Sequence, residues 1–298
     1  MNEKTEYHIP VLIAEVLEYM APKENEVYVD VTFGGGGHTE AILKANPLCK
    51  VIGVDWHQEA LTINGEALKE KYGDRLELIK GSFGHLTKLL KKLNISKIDG
   101  ILADFGTSQY QIFNVPGLSF HSKEVLDMRM SPQHQKIKAY DIVNYAQDRE
   151  LLKIFREYGQ EAHAHKVVQE IVRYRKEEGK IKTGEQLAKI IASVIRAKSR
   201  HIHPATKIFQ ALRIVVNDEL NNIKSLLAQS SKLLNDCGRL VCISFHSLED
   251  FLVKDFLREY QLEFEPLTDK VVTASESELM RNPSSRSAKL RAAKKLPC

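Results

Sequence analysis

The sequence has few cysteines and no long apolar run, and each absence excludes a class of protein. Its cysteines, Cys49, Cys237, Cys242 and Cys298, are scattered and form no Cys-x-x-Cys pair, so neither a disulfide framework nor a zinc knuckle is expected. No segment approaches the roughly 18 consecutive apolar residues that a membrane span requires. The polar residues 1–10 lack the apolar core of a secretory signal. These absences predict a cytoplasmic protein without a membrane anchor.

Acidic side chains are missing from the last part of the chain. Six basic residues lie between Arg281 and Lys295, with no Asp or Glu among them. Such a run is typical of a phosphate-binding tail, and equally of a solvated, partly disordered end.

Two histidine pairs are the remaining candidates for metal ligands. His163 and His165 are two residues apart, as are His201 and His203, and such positions on a helix point to different faces. No cysteine-rich segment supplies further ligands. The sequence therefore predicts no metal site.

Strand-like and helix-like segments alternate along the first hundred residues. Short runs typical of strands occur at 27–31, 49–54, 76–79 and 98–103. Amphipathic, helix-like segments occur at 11–20, 38–44, 59–71 and 83–93. This alternation predicts a doubly wound parallel sheet of the α/β class, with a ligand site outside the carboxyl ends of its strands.

The alternation stops after Asp104. Residues 105–124 are rich in Gly, Ser, Gln and Pro, which predicts an ordered loop. Helical patterns follow at 148–157, 161–177, 184–197 and 206–228, and a strand at 238–244 and a helix at 248–260 restore the first pattern. We therefore predict a sheet domain in two parts, residues 1–125 and 207–298, with an inserted helical domain at 126–206.

The most informative motif is Asp30-Val-Thr-Phe-Gly-Gly-Gly-Gly-His38, placed between a strand and a helix. Its glycines allow the backbone to turn tightly and to approach a ligand. A dinucleotide fingerprint requires Gly-x-Gly-x-x-Gly, and counted from Gly34 its third glycine falls on Thr39. The spacing therefore favours a ligand with an amino-acid portion, its ammonium near Asp30. A glycine-rich turn without a ligand is the alternative.

Three further residues follow strand-like runs and are candidates for the same site. Asp55 ends the second run, where a carboxylate can accept both hydroxyls of an adenosine ribose; a helix cap is the alternative. Phe83 follows the third run and lies either near an adenine or in the core. Asp104 ends the fourth run and is the candidate catalytic residue, as an acceptor for a weakly nucleophilic amine or as a cofactor contact; a structural cap is the alternative.

Longer strings in the sequence resemble one family closely. They are His8-Ile-Pro-Val11, Thr32-Phe-Gly-Gly-Gly-Gly-His38, Leu126-Asp-Met-Arg-Met130, His203-Pro-Ala-Thr-Lys-Ile-Phe-Gln-Ala-Leu-Arg213, Ile243-Ser-Phe-His-Ser-Leu-Glu-Asp250 and Asn282-Pro-Ser-Ser-Arg-Ser-Ala-Lys-Leu-Arg291. Together they resemble the bacterial ribosomal small-subunit RNA (cytosine-N4)-methyltransferases, the RsmH or MraW family.

The resemblance implies transfer of a methyl group from S-adenosylmethionine to N4 of a decoding-centre cytidine in the 16S rRNA of the small ribosomal subunit. It also implies a class I methyltransferase fold, which is Rossmann-like and doubly wound, with an inserted α-helical domain. It leaves the oligomeric state open, with a homodimer as one option.

The resemblance also implies roles for individual residues. The family's cofactor contacts correspond to Gly36, Gly37, His38, Asp55, Phe83, Asp104 and Gln111. Substrate-side or structural roles fall on Asp127, Arg129, His203, Arg213, Asn217, His246 and Glu249. The chain departs from the family pattern at residues 105–110, 116–120, 158–161 and 251, on the substrate side.

Two other functions fit the same residues. One is a methyltransferase that acts on DNA cytosine or on a small molecule, because it would keep the same cofactor site. The other is a non-catalytic ribosome-binding factor that keeps the fold.

Overall fold

A computed structural model describes residues 10–107, 109–196 and 203–297. The chain divides into two compact units. The sheet unit comprises Met1–Gly106 and Leu220–Cys298, and the helical unit comprises Thr107–Glu219. The predicted domain boundaries at 125/126 and 206/207 both fall inside the helical unit.

Within the described residues, eight strands form one sheet. They are β1 (Val27–Asp30), β2 (Lys50–Asp55), β3 (Leu76–Lys80), β4 (Ile98–Phe105), β5 (Leu234–Ser244), β6 (Phe264–Pro266), β7 (Val272–Thr273) and β8 (Lys289–Lys295). Their order is β3-β2-β1-β4-β5-β8-β6, and β7 also pairs with β8. The strands β1 to β5 are parallel to their neighbours, whereas β8 runs antiparallel to β5. Parallel strands place their carboxyl ends at one edge of the sheet, where we expected the ligand site.

Helices account for most of the remaining chain. They are α1 (Ile13–Met20), α2 (Gly37–Ala45), α3 (Glu66–Tyr72), α4 (Leu86–Lys92), α5 (Gln109–Asn114), α6 (Ala139–Tyr145), α7 (Asp148–Glu157), α8 (Ala164–Glu177), α9 (Gly184–Val194), α10 (Thr206–Asn217), α11 (Glu219–Leu233), α12 (Ser247–Glu259) and α13 (Glu276–Arg281). A π-helical turn at Ala60–Gly65 precedes α3, and 3₁₀ turns occur at Gly73–Arg75, Phe83–His85 and Pro283–Ser287. Of the helices in the described ranges, none is long and apolar enough to span a membrane.

The sheet is covered on both faces, because successive side chains of a strand point to opposite sides. On β5, Val241 packs with α1 and α2 on one face, and Cys242 packs with α4, α11 and α12 on the other. On β1, Tyr28 and Val29 divide in the same way. The predicted doubly wound α/β sheet is therefore confirmed.

The helical unit has an apolar core of its own. Its largest fully buried side chain is Phe155 on α7. Around it pack side chains of α6, α8, α9 and α10, including Val167, Ile191 and Leu212. This separate core explains why the insertion folds as a distinct unit.

The prediction of a basic tail is wrong in part, because residues 289–295 form β8 inside the sheet. The basic side chains of β8 have partners there: Arg291 pairs with Asp250 at 2.7 Å, and Lys294 pairs with Glu265 at 3.0 Å. Lys295, only 4% exposed, donates a hydrogen bond to the Ser231 carbonyl. Alanine and lysine have low β-propensity, so the segment itself gave no strand signal.

Two other expectations also differ from the structure. The helical pattern at 206–228 is broken at Asp218, whose φ of +51° lies in the left-handed region that aspartate tolerates better than most residues. The expected loop at 105–124 contains the short helix α5, which occupies a stretch without Gly or Pro.

Candidate active site

The glycine loop turns the chain from β1 into α2. Gly36 has a φ of +75°, and a Cβ atom there would lie 2.4 Å from Cδ1 of Leu68. A Cβ atom on Gly37 would lie 2.2 Å from Cγ of Pro10. A side chain at Gly36 would be strained by the positive φ, and one at Gly37 would displace the Pro10 ring.

Asp30 holds this loop from the end of β1. It is 1% exposed, and its carboxylate accepts hydrogen bonds from the Thr39 hydroxyl at 2.8 Å and the Thr32 N–H at 3.1 Å. Burial raises its pKa, although the charge of His38 and these hydrogen bonds oppose the rise. Both carboxylate oxygens are thus engaged inside the protein, so Asp30 acts on the loop.

Asp55 lies at the end of β2 and contacts the same loop. Its Oδ2 accepts a hydrogen bond from the Gly34 N–H at 2.8 Å, and its Oδ1 accepts one from the His57 N–H at 2.7 Å. Burial raises the pKa of this carboxyl, and the two hydrogen bonds oppose the rise. A carboxylate offers about four acceptor positions, so the geometry fixes Asp55 and leaves it capacity for further donors.

Asp104 lies near the end of β4, next to the glycine loop. Its N–H donates to the Thr32 hydroxyl at 2.7 Å, and its Oδ2 lies 3.8 Å from Nδ1 of His38. The other ring nitrogen of His38, Nε2, bonds the Val11 carbonyl at 2.8 Å, and this bond fixes the ring. Among the residues that the structure describes, none donates a hydrogen bond to the buried Oδ1 of Asp104.

The surroundings of Asp104 make it an unusual carboxyl. Burial raises its pKa to about 6, and the nearby charges of Asp30 and Glu249 contribute, while the charge of His38 acts in the opposite direction. Perturbed carboxyls that also lack a partner are concentrated at functional sites. This combination distinguishes Asp104 from a helix cap, whose oxygens would be occupied by backbone N–H groups.

Phe83 lies on the 3₁₀ turn after β3, and α11 holds this turn in place. Its ring centroid is 6.0 Å from that of Phe105. The carbonyl of the next residue, Gly84, accepts hydrogen bonds from the Ser225 hydroxyl at 2.6 Å and from Nε2 of Gln229 at 2.9 Å. The half-buried ring is thus supported by the core and by a fixed turn.

His246 and Glu249 form a capping box at the start of α12, directly after β5. Glu249 is 2% exposed, and its Oε2 accepts hydrogen bonds from the N–H groups of Phe245 at 2.7 Å and His246 at 3.2 Å. Nδ1 of His246 in turn accepts from the Glu249 N–H at 3.3 Å. This reciprocal arrangement satisfies N–H groups that have no partner within the helix.

In the helical unit, Asp127 and Arg129 bind each other. The Arg129 guanidinium donates to both carboxylate oxygens of Asp127, at 2.6 Å and 2.9 Å, and also to the Gln135 carbonyl at 3.0 Å. Burial alone would raise the pKa of Asp127, but the hydrogen bonds from Arg129 outweigh it and hold the pKa below its usual range. The pair is therefore ionised at neutral pH and shapes the local chain.

Asn217 bridges the end of α10 to this same segment. It is 3% exposed, and its amide donates to the Met128 carbonyl at 2.9 Å and accepts from the Met130 N–H at 2.8 Å. Met128 has a φ of +64°, a conformation that an L-residue adopts only at a cost. The Asn217 side chain therefore stabilises a strained turn.

Arg213 and His203 also have partners inside the helical unit. Arg213 binds both carboxylate oxygens of Glu219, at 2.8 Å and 3.0 Å, and donates to the Thr107 hydroxyl at 3.0 Å. The His203 ring stacks on Phe120 with a centroid distance of 4.6 Å, and burial lowers its pKa.

Gln111 lies on α5, and His163 precedes α8. Both residues belong to the helical unit. His8 and His201, by contrast, lie outside the described residues. The cofactor role of Gln111 and the absence of a metal site remain predictions.

The sequence is similar to one family of known proteins along nearly its whole length. The sequence profile of the MraW methylase family matches residues 5–296. The chain belongs to that family. A relative from Sulfurihydrogenibium sp. (strain YO3AOP1), named ribosomal RNA small subunit methyltransferase H, is 47% identical over 97% of this chain and 99% of its own length. A relative of the same name from Thermotoga neapolitana is 43% identical over 98% and 97% of the two chains.

As a member of the MraW methylase family, the chain is an S-adenosylmethionine-dependent methyltransferase with the predicted Rossmann-like class I fold. The ends of the strands in the sheet unit fit this cofactor. Asp55 retains acceptor capacity beside the glycine loop, and Oδ1 of Asp104 is a buried acceptor without a donor in the described part of the chain.

The predicted residues of this MraW methylase fall in two groups. Eight of them belong to the sheet unit: Gly36, Gly37, His38, Asp55, Phe83, Asp104, His246 and Glu249. The helical unit holds Gln111, Asp127, Arg129, His203, Arg213 and Asn217. Their individual roles toward cofactor and substrate remain predictions.

Sequence reasoning missed the residues that support this site. Thr32 binds both Asp30 and Asp104. It lies two residues after a strand-ending aspartate, where hydroxyl side chains commonly form hydrogen bonds in turns, so the sequence pattern could have indicated it. Ser225 and Gln229, which hold the Phe83 turn, lie about 140 residues from it in sequence. No local pattern marks such a long-range contact.

Replacing Asn217 by alanine is expected to destabilise the helical unit of this MraW methylase by about 2–3 kcal/mol, because the buried Met128 carbonyl and Met130 N–H would lose their partner. Native-state hydrogen exchange of residues in α6 and α10 would measure this loss. Gln169→Ala, at an exposed position of α8, is the matched control. Equal protection in both variants would contradict the structural role of Asn217.

Proposed function

We propose that this MraW methylase transfers a methyl group to N4 of a decoding-centre cytidine in 16S rRNA. The names of its relatives support an RNA of the small ribosomal subunit as substrate. The single observation that carries the chemistry is Asp104: a buried carboxyl with a raised pKa and an oxygen atom to which no described residue donates.

The chemistry of the amine explains why such an acceptor is needed. The lone pair of the cytosine amine is delocalised into the ring, so the nitrogen is a poor nucleophile. A carboxylate that accepts one of its N–H groups favours a pyramidal nitrogen and can take the proton that the product releases. S-adenosylmethionine, when bound, supplies a methyl group activated by a sulfonium. We assign the acceptor role to Asp104.

The cofactor would be held by residues at the strand ends. Gly36, Gly37 and His38 would provide the close backbone surface, Asp55 would accept the ribose hydroxyls, and Phe83 would lie near the adenine. Asp104 and Gln111 complete the proposed set. The support is the remaining acceptor capacity of Asp55 and the buried oxygen of Asp104 to which no described residue donates.

We further propose that the helical unit recognises the substrate, with the rRNA of the small subunit as the partner and the cytoplasm as the place of reaction. The proposed substrate-side residues are Asp127, Arg129, His203, Arg213, Asn217, His246 and Glu249. Because most of them have protein partners in the structure, we assign them to shaping the substrate surface. The target base must leave its stack to be methylated.

Mass spectrometry of nucleosides tests the proposal. The purified protein is incubated with small subunits that lack the modification and with labelled S-adenosylmethionine. Labelled N4-methylcytidine at a single decoding-centre position is the expected result. Label on another nucleoside, or on duplex DNA added as competitor, would contradict the proposed target, and cofactor binding without any transfer would favour a non-catalytic binding factor.

The rate of transfer is expected to fall below pH 6. Asp104 must be ionised to accept a proton, and its pKa is raised to about 6, so each further pH unit below this value should cost about tenfold in rate. Single-turnover methyl transfer measured between pH 5 and 8 checks the midpoint. A flat profile over this range, with cofactor binding constant, would contradict the assignment.

A further inference from the structure

One surface of the sheet unit is rich in lysine. The segment from Lys80 to Lys97 contains five lysines and His85 but no Asp or Glu, and the segment from Leu220 to Asn235 contains two lysines and again no acid. These segments include α4 and α11, which contribute Leu90 and Leu226 to the same apolar cluster.

The two helices are also joined by hydrogen bonds, so their exposed side chains form one surface. Oε1 of Gln229 on α11 accepts from the Thr87 N–H at 2.7 Å. A depression of about 430 Å³ lies along this junction and is lined by Gly84, His85, Thr87, Lys88, Lys91 and Gln229. We call the exposed residues His85, Lys88, Lys91, Lys92, Lys224 and Lys232 the α4–α11 face.

Some lysines elsewhere in the sheet unit have acidic partners. Lys44 and Lys71 both bind Glu40, at 3.1 Å and 2.7 Å. Within the described ranges, by contrast, no carboxylate lies within ion-pair distance of a lysine of the α4–α11 face. Clustered lysines without counter-charges repel one another, and a polyanion relieves that repulsion.

We propose that the α4–α11 face binds the phosphate backbone of the RNA substrate, so that the sheet unit itself contacts RNA. The inference rests on the proposed function. Lysines bind phosphates as point charges, and they act without regard to base sequence. The large apolar side chains exposed in the described residues all lie on other elements, so the face lacks the apolar contacts of a membrane-binding helix.

The test compares two triple variants of the full-length protein. The first, Lys88→Ala with Lys91→Ala and Lys232→Ala, removes charges from the face. The second, Lys50→Ala with Lys254→Ala and Lys270→Ala, removes the same charge from exposed positions elsewhere in the sheet unit. Binding to deproteinised 16S rRNA is measured at several salt concentrations. Methyl transfer to unmodified small subunits is measured with both variants.

The expected result is a loss of affinity for RNA of about tenfold or more for the first variant, and a decrease of roughly 2 to 3 in the slope of log K against log salt. Its KM for small subunits should rise while kcat at saturation and cofactor affinity stay the same. Replacing the three lysines by arginine should restore binding.

Equal RNA affinity and salt slope in the two triple variants would overturn the inference. Binding to vesicles containing phosphatidylglycerol is measured in parallel, and a loss confined to these vesicles would also overturn the inference, because it would assign the face to lipid. If the unsubstituted protein methylates no small-subunit RNA, the proposed function fails, whereas the binding comparison still decides whether the face recognises RNA.

Discussion

Replacing Asp104 by alanine is expected to lower the rate of methyl transfer by about 10²–10⁴-fold, the usual contribution of a positioned proton acceptor. Asp104 is the carboxyl whose oxygen is buried without a donor in the described part of the chain, and its backbone is fixed through Thr32. Asp104→Asn keeps the size of the side chain and one acceptor but cannot take a proton. A comparable loss in both variants would show that proton acceptance is required.

Cofactor affinity and stability distinguish a lost catalytic group from a damaged fold. The pKa of Asp104 is raised to about 6 from an ordinary value of 3.8, so its ionised form costs stability. The loss of folding free energy grows as the pH rises from about 4 to 6. Above pH 6 it reaches its maximum of about 3 kcal/mol. Asp104→Asn should therefore raise the melting temperature at pH 8 and leave it unchanged below pH 4. Near-normal turnover of Asp104→Ala would rule out the catalytic role, and near-normal turnover of Asp104→Asn would rule out proton acceptance.

Replacing Asp55 by asparagine is expected to weaken binding of S-adenosylmethionine by roughly 10²–10³-fold. The substitution removes a charged acceptor for the ribose hydroxyls, and hydrogen bonds to charged groups contribute about 1.5–3 kcal/mol each. It also weakens the bond from the Gly34 N–H, which helps fix the glycine loop. Titration calorimetry with S-adenosylmethionine measures the effect.

The matched control for Asp55 is Asp74→Asn, which removes an exposed carboxylate from the same unit. It should leave cofactor affinity unchanged. Since Asp55 is proposed to contact the ribose, S-adenosylhomocysteine should lose affinity to the same extent as the methyl donor. Unchanged affinity for both ligands would contradict the ribose role and leave Asp55 with a structural function in the loop.

The strand ends of the sheet unit could be predicted from sequence because each is marked locally. β1, β2 and β4 are short apolar runs that end close to Asp30, Asp55 and Asp104, and alternation with helices fixed the class of the sheet. The helix at 148–157 was likewise predicted with the bounds that α7 has, because its apolar positions recur with the helical period.

Other features depend on contacts between distant segments, and the sequence did not predict them. β8 is a strand because β5 pairs with it and because Asp250 and Glu265 neutralise its charges. The sequence does not decide whether Arg213 and Asn217 contact the substrate or support the structure. Only their hydrogen bonds to Glu219 and to Met128 show what they do within the protein. Such partners are set by tertiary packing, which local patterns do not encode.

The position of the helical unit within the chain has a consequence for how the protein folds. β4 and β5 are neighbours in the sheet, yet β4 ends at Phe105 and β5 begins only at Leu234. Pairing them closes a long loop, and contacts of such sequence separation slow folding. Until β5 arrives, β4 presents an open edge that can pair with other chains. Early folding of the helical unit on its own core would bring the two ends of that loop closer, so the insertion would also speed completion of the sheet.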